Sequence, residues 1–477
     1  MDNKVITSGT GEKDSFIICR NSQGTEVRAA ILRLTRYLVV FEVYNPYSIL
    51  QLSEVLSEFK VIMNDRLIYS GRAIISNIVN TGILLICEAT LEDSWLDVNL
   101  FSPLTEGERL QTDFAEFLKE WEKIYQVKSD FKVVVADMQT LLMDLKRWLE
   151  QVELGIRSEP SRNRLPMEKE VLDKLHHLMM APVSRLFQRF EDIAGQIHVE
   201  MQPIHRAYVR RQLHPLVLCA PFVYRTFQKP LGYAGDYEMV NMMLRDPMEG
   251  GSLFAKMVNQ YFLSQPPVLA HRNRIQYLTQ TLINETSRVA RRGRVARIFN
   301  LGCGPAVEVQ HFLIQEDLSE RAQFTLLDFN DETIEHTGKL LDEIKMKGRR
   351  MTAIQLIKKS VHQILKEAAR PKEDGPKYDL VYCAGLFDYL SERICKRLVG
   401  VFYDLLAPGG LLVVTNVDSS NPIRNMMEYF LEWHLTYRNR KELECLAPDL
   451  APPGTFAVKA DSTGVNIYLE VRKPPSE

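Results

Sequence analysis

The run Ile298-Phe299-Asn300-Leu301-Gly302-Cys303-Gly304-Pro305-Ala306 reads as a strand entering a tight turn ahead of a helix. Glycines at 302 and 304 let the backbone approach a ligand with no Cβ in the way. About one β–α–β unit later, Asp328 ends the apolar run Phe324 to Leu327, where a carboxylate is placed to accept from both hydroxyls of a ribose. The two signals together say more than a GxG alone, which other nucleotide-binding domains also carry. The natural rival is an NAD-linked dehydrogenase, whose GxGxxG fingerprint requires glycine where Val307 stands. Upstream, the stretch Phe227 to Asn241 sets Gly232, Tyr233, Gly235, Asp236 and Tyr237 just ahead of an apolar helix. Asp236 suits a helix N-cap and the two tyrosines suit a lid facing a pocket, and these readings are compatible. Arg274, in His271-Arg272-Asn273-Arg274, is of the type that pairs a carboxylate through two parallel hydrogen bonds, with surface charge on a helix as the alternative. For proton transfer the candidates are Asp388, Asp418, His434 and Tyr237, an ordinary packed or surface histidine being the plainer reading of His434. Cys303 and Cys383 have no evident His partner and read as packing residues rather than nucleophiles.

Three kinds of element must position these groups. Residues 1–100 hold short apolar runs, among them Val27 to Leu34, Tyr37 to Tyr44, Phe59 to Met63, Leu67 to Tyr69, Ala73 to Ile78 and Ile83 to Cys87. Turn signals separate them, including Asn21-Ser22-Gln23-Gly24, Asn45-Pro46, Asn64-Asp65, Ser70-Gly71 and Asn80-Thr81-Gly82, which predicts a small β-barrel or sandwich. Residues 101–288 read as a helical linker or cap. Phe114, Phe117, Leu118, Trp121 and Tyr125 share one helical face, and Met138, Leu141, Leu142, Leu145, Trp148 and Leu149 another, with a polar break from Gly155 to Pro166. Helix-to-helix core accounts for these stripes; a homodimer through a helical hairpin is compatible with them. Residues 289–477 alternate short β-rich runs with amphipathic stretches at Val307 to Ile314, Asp331 to Lys345 and Glu392 to Leu406, which predicts a parallel sheet covered on both faces. Phe456 to Lys459 and Asn466 to Val471 read as a hairpin added at its edge.

The region from Arg274 to Val471 resembles class I S-adenosylmethionine (SAM)-dependent methyltransferases, whose fold is a Rossmann-like α/β domain with a seven-stranded sheet. Asn300-Leu301-Gly302-Cys303-Gly304-Pro305 matches the first motif, with Asn300 where the family often has an acid and Ala306 where it often has a third glycine. Asp328 matches the acid of the second motif, and Lys359-Ser360-Val361 stands where the family usually has Asp against the adenine amine. Tyr378 to Tyr389 matches the fourth strand and its turn, and Leu405 to Leu412, with Pro408-Gly409-Gly410, the approach to the fifth. The resemblance implies that SAM contacts Tyr233, Arg274, Asn300, Gly302, Cys303, Gly304, Pro305, Asp328, Phe329, Ser360, Val361, Cys383, Ala384 and Gly385. From Tyr224 to Val471 the chain is also similar to bacterial proteins that make the extracellular factor 3-hydroxypalmitic acid methyl ester, which implies a fatty acyl carboxylate as methyl acceptor. Arg28 to Leu91 resembles the PilZ-type barrels of bacterial signalling proteins. Arg33 and Arg36 depart from the RxxxR spacing of members that bind cyclic di-GMP, and no [D/N]xSxxG occurs, so that likeness reaches the fold and not the ligand. The departures at Asn300, Ala306 and Ser360 keep a second class open: a signalling or interaction protein that retains the fold and has lost catalysis.

Composition narrows the rest. At 477 residues the chain exceeds one ordinary core, and 45% hydrophobic with 25% charged residues is a globular balance. A net charge of −2 gives no global sign of nucleic-acid binding, and the run Arg288, Arg291, Arg292, Arg294 and Arg297 suits a helix C-terminus. Seven scattered cysteines without a CxxC pair give no metal site and fit reduced thiols in a cytoplasmic protein. Met1 to Ile18 is polar, without a signal-peptide core, and no apolar stretch is long enough to cross a bilayer.

Overall fold

A computed structural model describes residues 15–35, 37–44, 50–63, 66–80, 84–92, 115, 118, 126–368 and 376–475. Phe114, Phe117, Trp121, Tyr125, Arg36 and the turn signals at 45–46, 64–65 and 81–82 lie outside them. The backbone divides into two compact units. One runs through Ala234 and also takes in Asp246–Leu263 and Pro422–His434; the other holds Gly235–Arg245, Ser264–Asn421 and Leu435 onwards.

In the first unit six strands close into an antiparallel barrel: β1 (Phe16–Arg20), β2 (Glu26–Leu34), β3 (Leu38–Tyr44), β4 (Val55–Met63), β5 (Arg66–Asn80) and β6 (Leu84–Leu91), in the order β1-β2-β3-β6-β5-β4. Closure leaves no unpaired strand edge, which decides for a barrel over a sandwich. Alternate residues point inward, so Ile17, Cys19, Val27, Ala29, Val39, Phe41, Phe59, Val61 and Ile75 fill the interior. Ser70-Gly71 proves not to be a turn. The chain runs straight through it within β5, where Gly71 leaves room for the Tyr69 ring: a Cβ at 71 would stand 2.6 Å from Tyr69 Oη, which donates to Arg72 O at 2.7 Å. Nearby register shifts on β4 mark bulges that bend strands into a closed barrel.

Among the described residues the helices of this unit include α1 (Ser129–Arg157), α2 (Ser161–Ala194), α3 (Gln202–Val217) and α4 (Pro221–Gln228). The expected polar break is shorter than Gly155 to Pro166, because Pro166 falls in the second turn of α2, and only 158–160 separate the helices. After the short α5 (Tyr237–Leu244) of the other unit comes α6 (Leu253–Leu263). Phe131, Phe187, Phe190, Tyr261, Tyr429 and Phe430 interlock in the helical core with centroids 5.1–5.9 Å apart. Tyr429 and Phe430 come from the far-downstream helix α12 (Arg424–Phe430), so its apolar face is core.

In the second unit α7 (Pro266–Ala290) leads into β7 (Ala296–Leu301), α8 (Val307–Gln315), β8 (Ala322–Asp328), α9 (Asp331–Gly348), β9 (Ala353–Lys358), α10 (Val361–Ala368), β10 (Tyr378–Cys383), α11 (Glu392–Leu405) and β11 (Leu406–Val417). α13 (Arg440–Glu444), β12 (Phe456–Ala460) and β13 (Asn466–Arg472) complete it. The sheet order is β12-β13-β11-β10-β7-β8-β9. β7 to β11 are parallel, and the terminal hairpin joins at the edge with β13 antiparallel to β11. Ile298, Phe324 and Leu380 meet Leu282, Val309 and Phe312 on one face, while Phe299 packs with Tyr378 and Phe402 of α11 on the other. Pro408-Gly409-Gly410 lies inside β11 as an irregularity rather than ahead of it. A Cβ on Gly410 would stand 2.9 Å from Ala407 O and 3.0 Å from Tyr378 O.

Candidate functional site

β7 and β10 are neighbours in the sheet, yet their following connections run to opposite sides of β7, toward β8 and toward β11. At such a switch point the loops after the two strands part and leave a crevice at the carboxyl edge. The loop after β7 is bent by positive φ at Gly302 (73°) and Gly304 (50°). It is held against β8, because the N–H groups of Gly302 and Cys303 both donate to Leu327 O, at 2.8 and 3.0 Å. A Cβ at 304 would meet nothing within 4 Å, so protein packing leaves that side of the turn open. Ala306 sits at φ 50°, a left-handed conformation that costs a non-glycine residue about 1 kcal/mol, at the position where the resemblance leads one to expect glycine.

Asp328 ends β8 beside this turn. Its Oδ2 accepts from Gly304 N–H and its Oδ1 from Asn330 N–H, both at 3.1 Å, and Phe329 N–H is a further donor, which leaves spare lone-pair capacity on the carboxylate. Burial raises its carboxyl above the usual range, and these backbone bonds oppose the rise. Asn330 caps α9 by accepting from Thr333 N–H at 2.9 Å, which fixes the backbone just beyond Asp328.

The other wall comes from β10 and α7. Gly385 has φ 85°, and its N–H donates to Thr415 Oγ1 at 3.1 Å. A Cβ there would stand 3.0 Å from Arg274 Nη1, so the guanidinium occupies the space a side chain at 385 would take. Arg274 Nη2 donates to His271 Nδ1 at 2.8 Å. Burial, reinforced by Arg274 and Arg272, holds His271 well below the usual range, so the imidazole is a neutral acceptor. Glu308, early in α8, accepts from Tyr382 Oη at 2.8 Å; burial raises its carboxyl, and Arg274 is among the groups that lower it. Asn300 is buried and donates through Nδ2 to Tyr382 O at 3.2 Å, whereas its Oδ1 is buried with no partner among the described residues.

Within the second unit the remaining expected contacts fall as follows. Phe329 and Ala384 are half-buried, and Cys303 and Cys383 are buried, their thiols pushed well up by burial. Val361 is buried at the start of α10. Ser360 Oγ accepts from Gln363 N–H at 3.3 Å and Gln363 Oε1 accepts from Ser360 N–H at 2.8 Å, so this serine caps α10. Asp236 caps α5 by accepting from Met239 N–H at 2.8 Å. Tyr237 donates to Glu332 at 2.7 Å and stacks on His336 with centroids 4.3 Å apart, both on the helix after Asp328. Two residues before, a Cβ on Gly235 would lie 3.1 Å from Tyr389 Oη, so this segment touches the β10 turn as well as α9. Asp388 is buried; its Oδ1 accepts from Val417 N–H at 2.7 Å, burial raises its carboxyl, and Arg274 and Arg438 oppose the rise. Asp418 Oδ1 accepts from Ser420 N–H at 2.9 Å.

Tyr233 and His434 belong to the first unit and are not grouped with these residues. His434 is 4% exposed with Nε2 unpartnered among the described residues, and burial with Arg206, Lys229, Arg424 and Arg210 holds it well below the usual range. The sequence reading missed Glu308, Tyr382 and Arg438. Arg438 is buried and donates to Phe387 O at 2.9 Å and Leu390 O at 2.7 Å. Only the strand register, which faces Tyr382 toward α8, gives Glu308 a meaning beyond helix N-terminal charge.

No family model matches the sequence. Over 142 residues it is 23% identical to an uncharacterised protein of Rickettsia prowazekii (strain Madrid E), a match covering 29% of this chain and 51% of that protein. The chain thus spans about half the length of the curated relative it matches. Similar solved structures include a possible exported protein from Bordetella parapertussis, at 14% identity, TM-score 0.42, 63% of this chain and 97% of that one. The N-methyltransferase NodS from Bradyrhizobium japonicum WM9 with S-adenosyl-L-homocysteine (SAH) has 14% identity and TM-score 0.30, covering 52% of this chain and 99% of its own. Magnesium protoporphyrin IX methyltransferase from Synechocystis PCC 6803, with bound SAH, has 10% identity and TM-score 0.30, covering 43% and 84%.

Proposed function

We propose that this chain is a cytoplasmic SAM-dependent methyltransferase acting on a small-molecule acceptor, with a PilZ-like barrel and a helical cap ahead of its catalytic domain. The observation that carries the reading is the carboxyl edge of the sheet: a left-handed glycine turn with open space at 304, beside a buried carboxylate, Asp328, with spare lone pairs. Asn300 Oδ1, buried and unpartnered among the described residues, and the Arg274 guanidinium fit the ammonium and carboxylate of an amino-acid end. Asp328 suits the ribose, and Phe329, Ser360, Val361 and Ala384 suit the adenine side. SAM would supply an electrophilic methyl carbon on a sulfonium. The protein's part is to hold an acceptor in line with it and exclude water, which supplies much of the rate.

O-methylation is favoured, with a fatty acyl carboxylate as the acceptor implied by the resemblance. A carboxylate acceptor is already ionised and needs no base, whereas a hydroxyl or amine would draw on Asp388 or Tyr237. The full chain incubated with methyl-labelled SAM and a host extract is expected to yield a labelled small molecule with SAH release. Binding of cofactor with no turnover on any acyl, phenolic or amine acceptor would favour the second reading, a silent signalling protein. Ala306 in a glycine-type conformation and the capping role of Ser360 are the observations behind that reading.

A further inference from the structure

Chain segments 227–232 and 431–434 lie in the first unit and continue directly into the second at residues 235 and 435. The barrel rim holds both. Arg72 on β5 donates to Phe227 O at 3.0 Å and Gln228 O at 2.6 Å. Val55 N–H donates to Gly232 O at 2.7 Å, and a Cβ on Gly232, at φ 84°, would press within 3.1 Å of Ser22 Cβ. The buried Ser53 Oγ donates to His434 O at 2.9 Å and accepts from His434 N–H. Glu54, between these contacts, is buried and accepts from Ser22 N–H, Ser22 Oγ and Gln51 N–H at 2.6–2.8 Å, which stiffens the rim. Lys229, 2% exposed, ties one segment to the other by donating to Leu431 O at 2.9 Å.

Past these segments, and within the second unit, the chain from residue 235 and the chain from residue 435 meet one turn. Gly235 comes against Tyr389. Thr436 N–H donates to Asp388 O at 2.6 Å, and Arg438 donates to Phe387 O and Leu390 O. That turn carries Asp388 and follows the Gly385 wall of the crevice. We infer that Ser53 and Arg72 of the barrel are positioning residues for the transfer site, acting through these two segments on the turn 387–390. The inference rests on the methyltransferase reading for its consequence in catalysis. It gives the barrel a task that needs no nucleotide: any ligand or partner that strains its β4–β5 rim shifts the turn.

Hydrogen exchange on the full chain separates this inference from the reading beneath it. In Arg72→Lys, which keeps the charge but loses the forked donor, the amides of Tyr389, Leu390 and Thr436 are expected to exchange about tenfold faster at unchanged global stability. The methyl-transfer kcat should fall about fivefold while the SAH Kd, set at the glycine turn, moves less than about twofold. Ser53→Ala should give the same pattern. Arg20→Ala, which removes a half-exposed ion pair with Glu58 on the same barrel, should leave all three amides unchanged. Faster exchange confined to 227–232 and 431–434, with the turn unaffected in Arg72→Lys, overturns the inference even if Ser53→Ala fails to fold. Wild-type protein that shows no SAH binding overturns the methyltransferase reading, and the exchange result still decides whether barrel and turn are coupled.

Discussion

Two clusters of buried charge, one in each unit, are built in opposite ways. In the cluster on and after α12 and on α3 of the first unit, charges are matched to each other. Arg206 meets Glu428 at 3.0 Å, Arg424 meets the same carboxylate at 2.8 Å, and Arg210 pairs with Glu432. At the carboxyl edge of the sheet, Asp328 and Asp388 accept mainly from backbone N–H groups and Glu308 from a phenol. Arg274 is directed at the backbone of Gly385. A mutually paired network serves the fold. Carboxylates steadied by backbone, with lone pairs left over beside an open turn, are held at a cost that a ligand can offset.

Four substitutions or conditions sharpen or break this contrast. The largest effect belongs to Glu428→Ala, which leaves Arg206, 5% exposed, without its carboxylate; unfolding titrations should show a loss of about 4 kcal/mol. A loss below about 1 kcal/mol would mean that the network is not the scaffold described. Next comes acid. Burial lowers His214 to about 4, against about 6.5 when unfolded. The unfolded chain therefore binds a proton between these values that the folded one refuses, and the stability contributed is full above pH 6.5 and lost toward pH 4. As much as about 3 kcal/mol is at stake, and His214→Gln, still able to donate to Phe430 O, should flatten this part of the stability–pH curve. Arg274→Ala should weaken SAH about thirtyfold by calorimetry with little change in Tm, the reverse of the Glu428 pattern. Comparable losses in both quantities would place Arg274 with the structural charges. The smallest effect is Ser360→Ala: loss of a helix cap worth about 1 kcal/mol or less in stability, with SAH affinity changed less than about threefold.

How far the sequence reveals this molecule differs along its length. Period-two runs and the glycine turn mark the barrel strands and the crevice loop, because both follow from local backbone preference. Ser70-Gly71 and Pro408-Gly409-Gly410 mislead for one reason: glycine relieves crowding inside a strand as well as bending a turn, and only the packed neighbours Tyr69 and Ala407 tell which. The strand β9 has no strong apolar signature because it lies at the sheet edge with every residue at least partly exposed. Asp236 as a cap is local and legible. The assignment of Met426, Tyr429 and Phe430 to the core of the first unit, more than 200 residues from α3 in sequence, is not, since contact order leaves no trace in spacing. Glu308 and Arg438 were missed for that same reason, their partners lying 74 and 51 residues away.

The central claim is that the turn at Gly302 to Gly304 and the carboxylate of Asp328 form one cofactor cradle. Titration calorimetry of the full chain with SAH, alongside Asp328→Ala, tests it most directly. One-site binding by the wild type, weakened about a hundredfold or more in the variant while the fold persists, is the expected result. Folded wild-type protein that gives no heat with SAH or SAM, or a variant that binds as tightly as the parent, would contradict it.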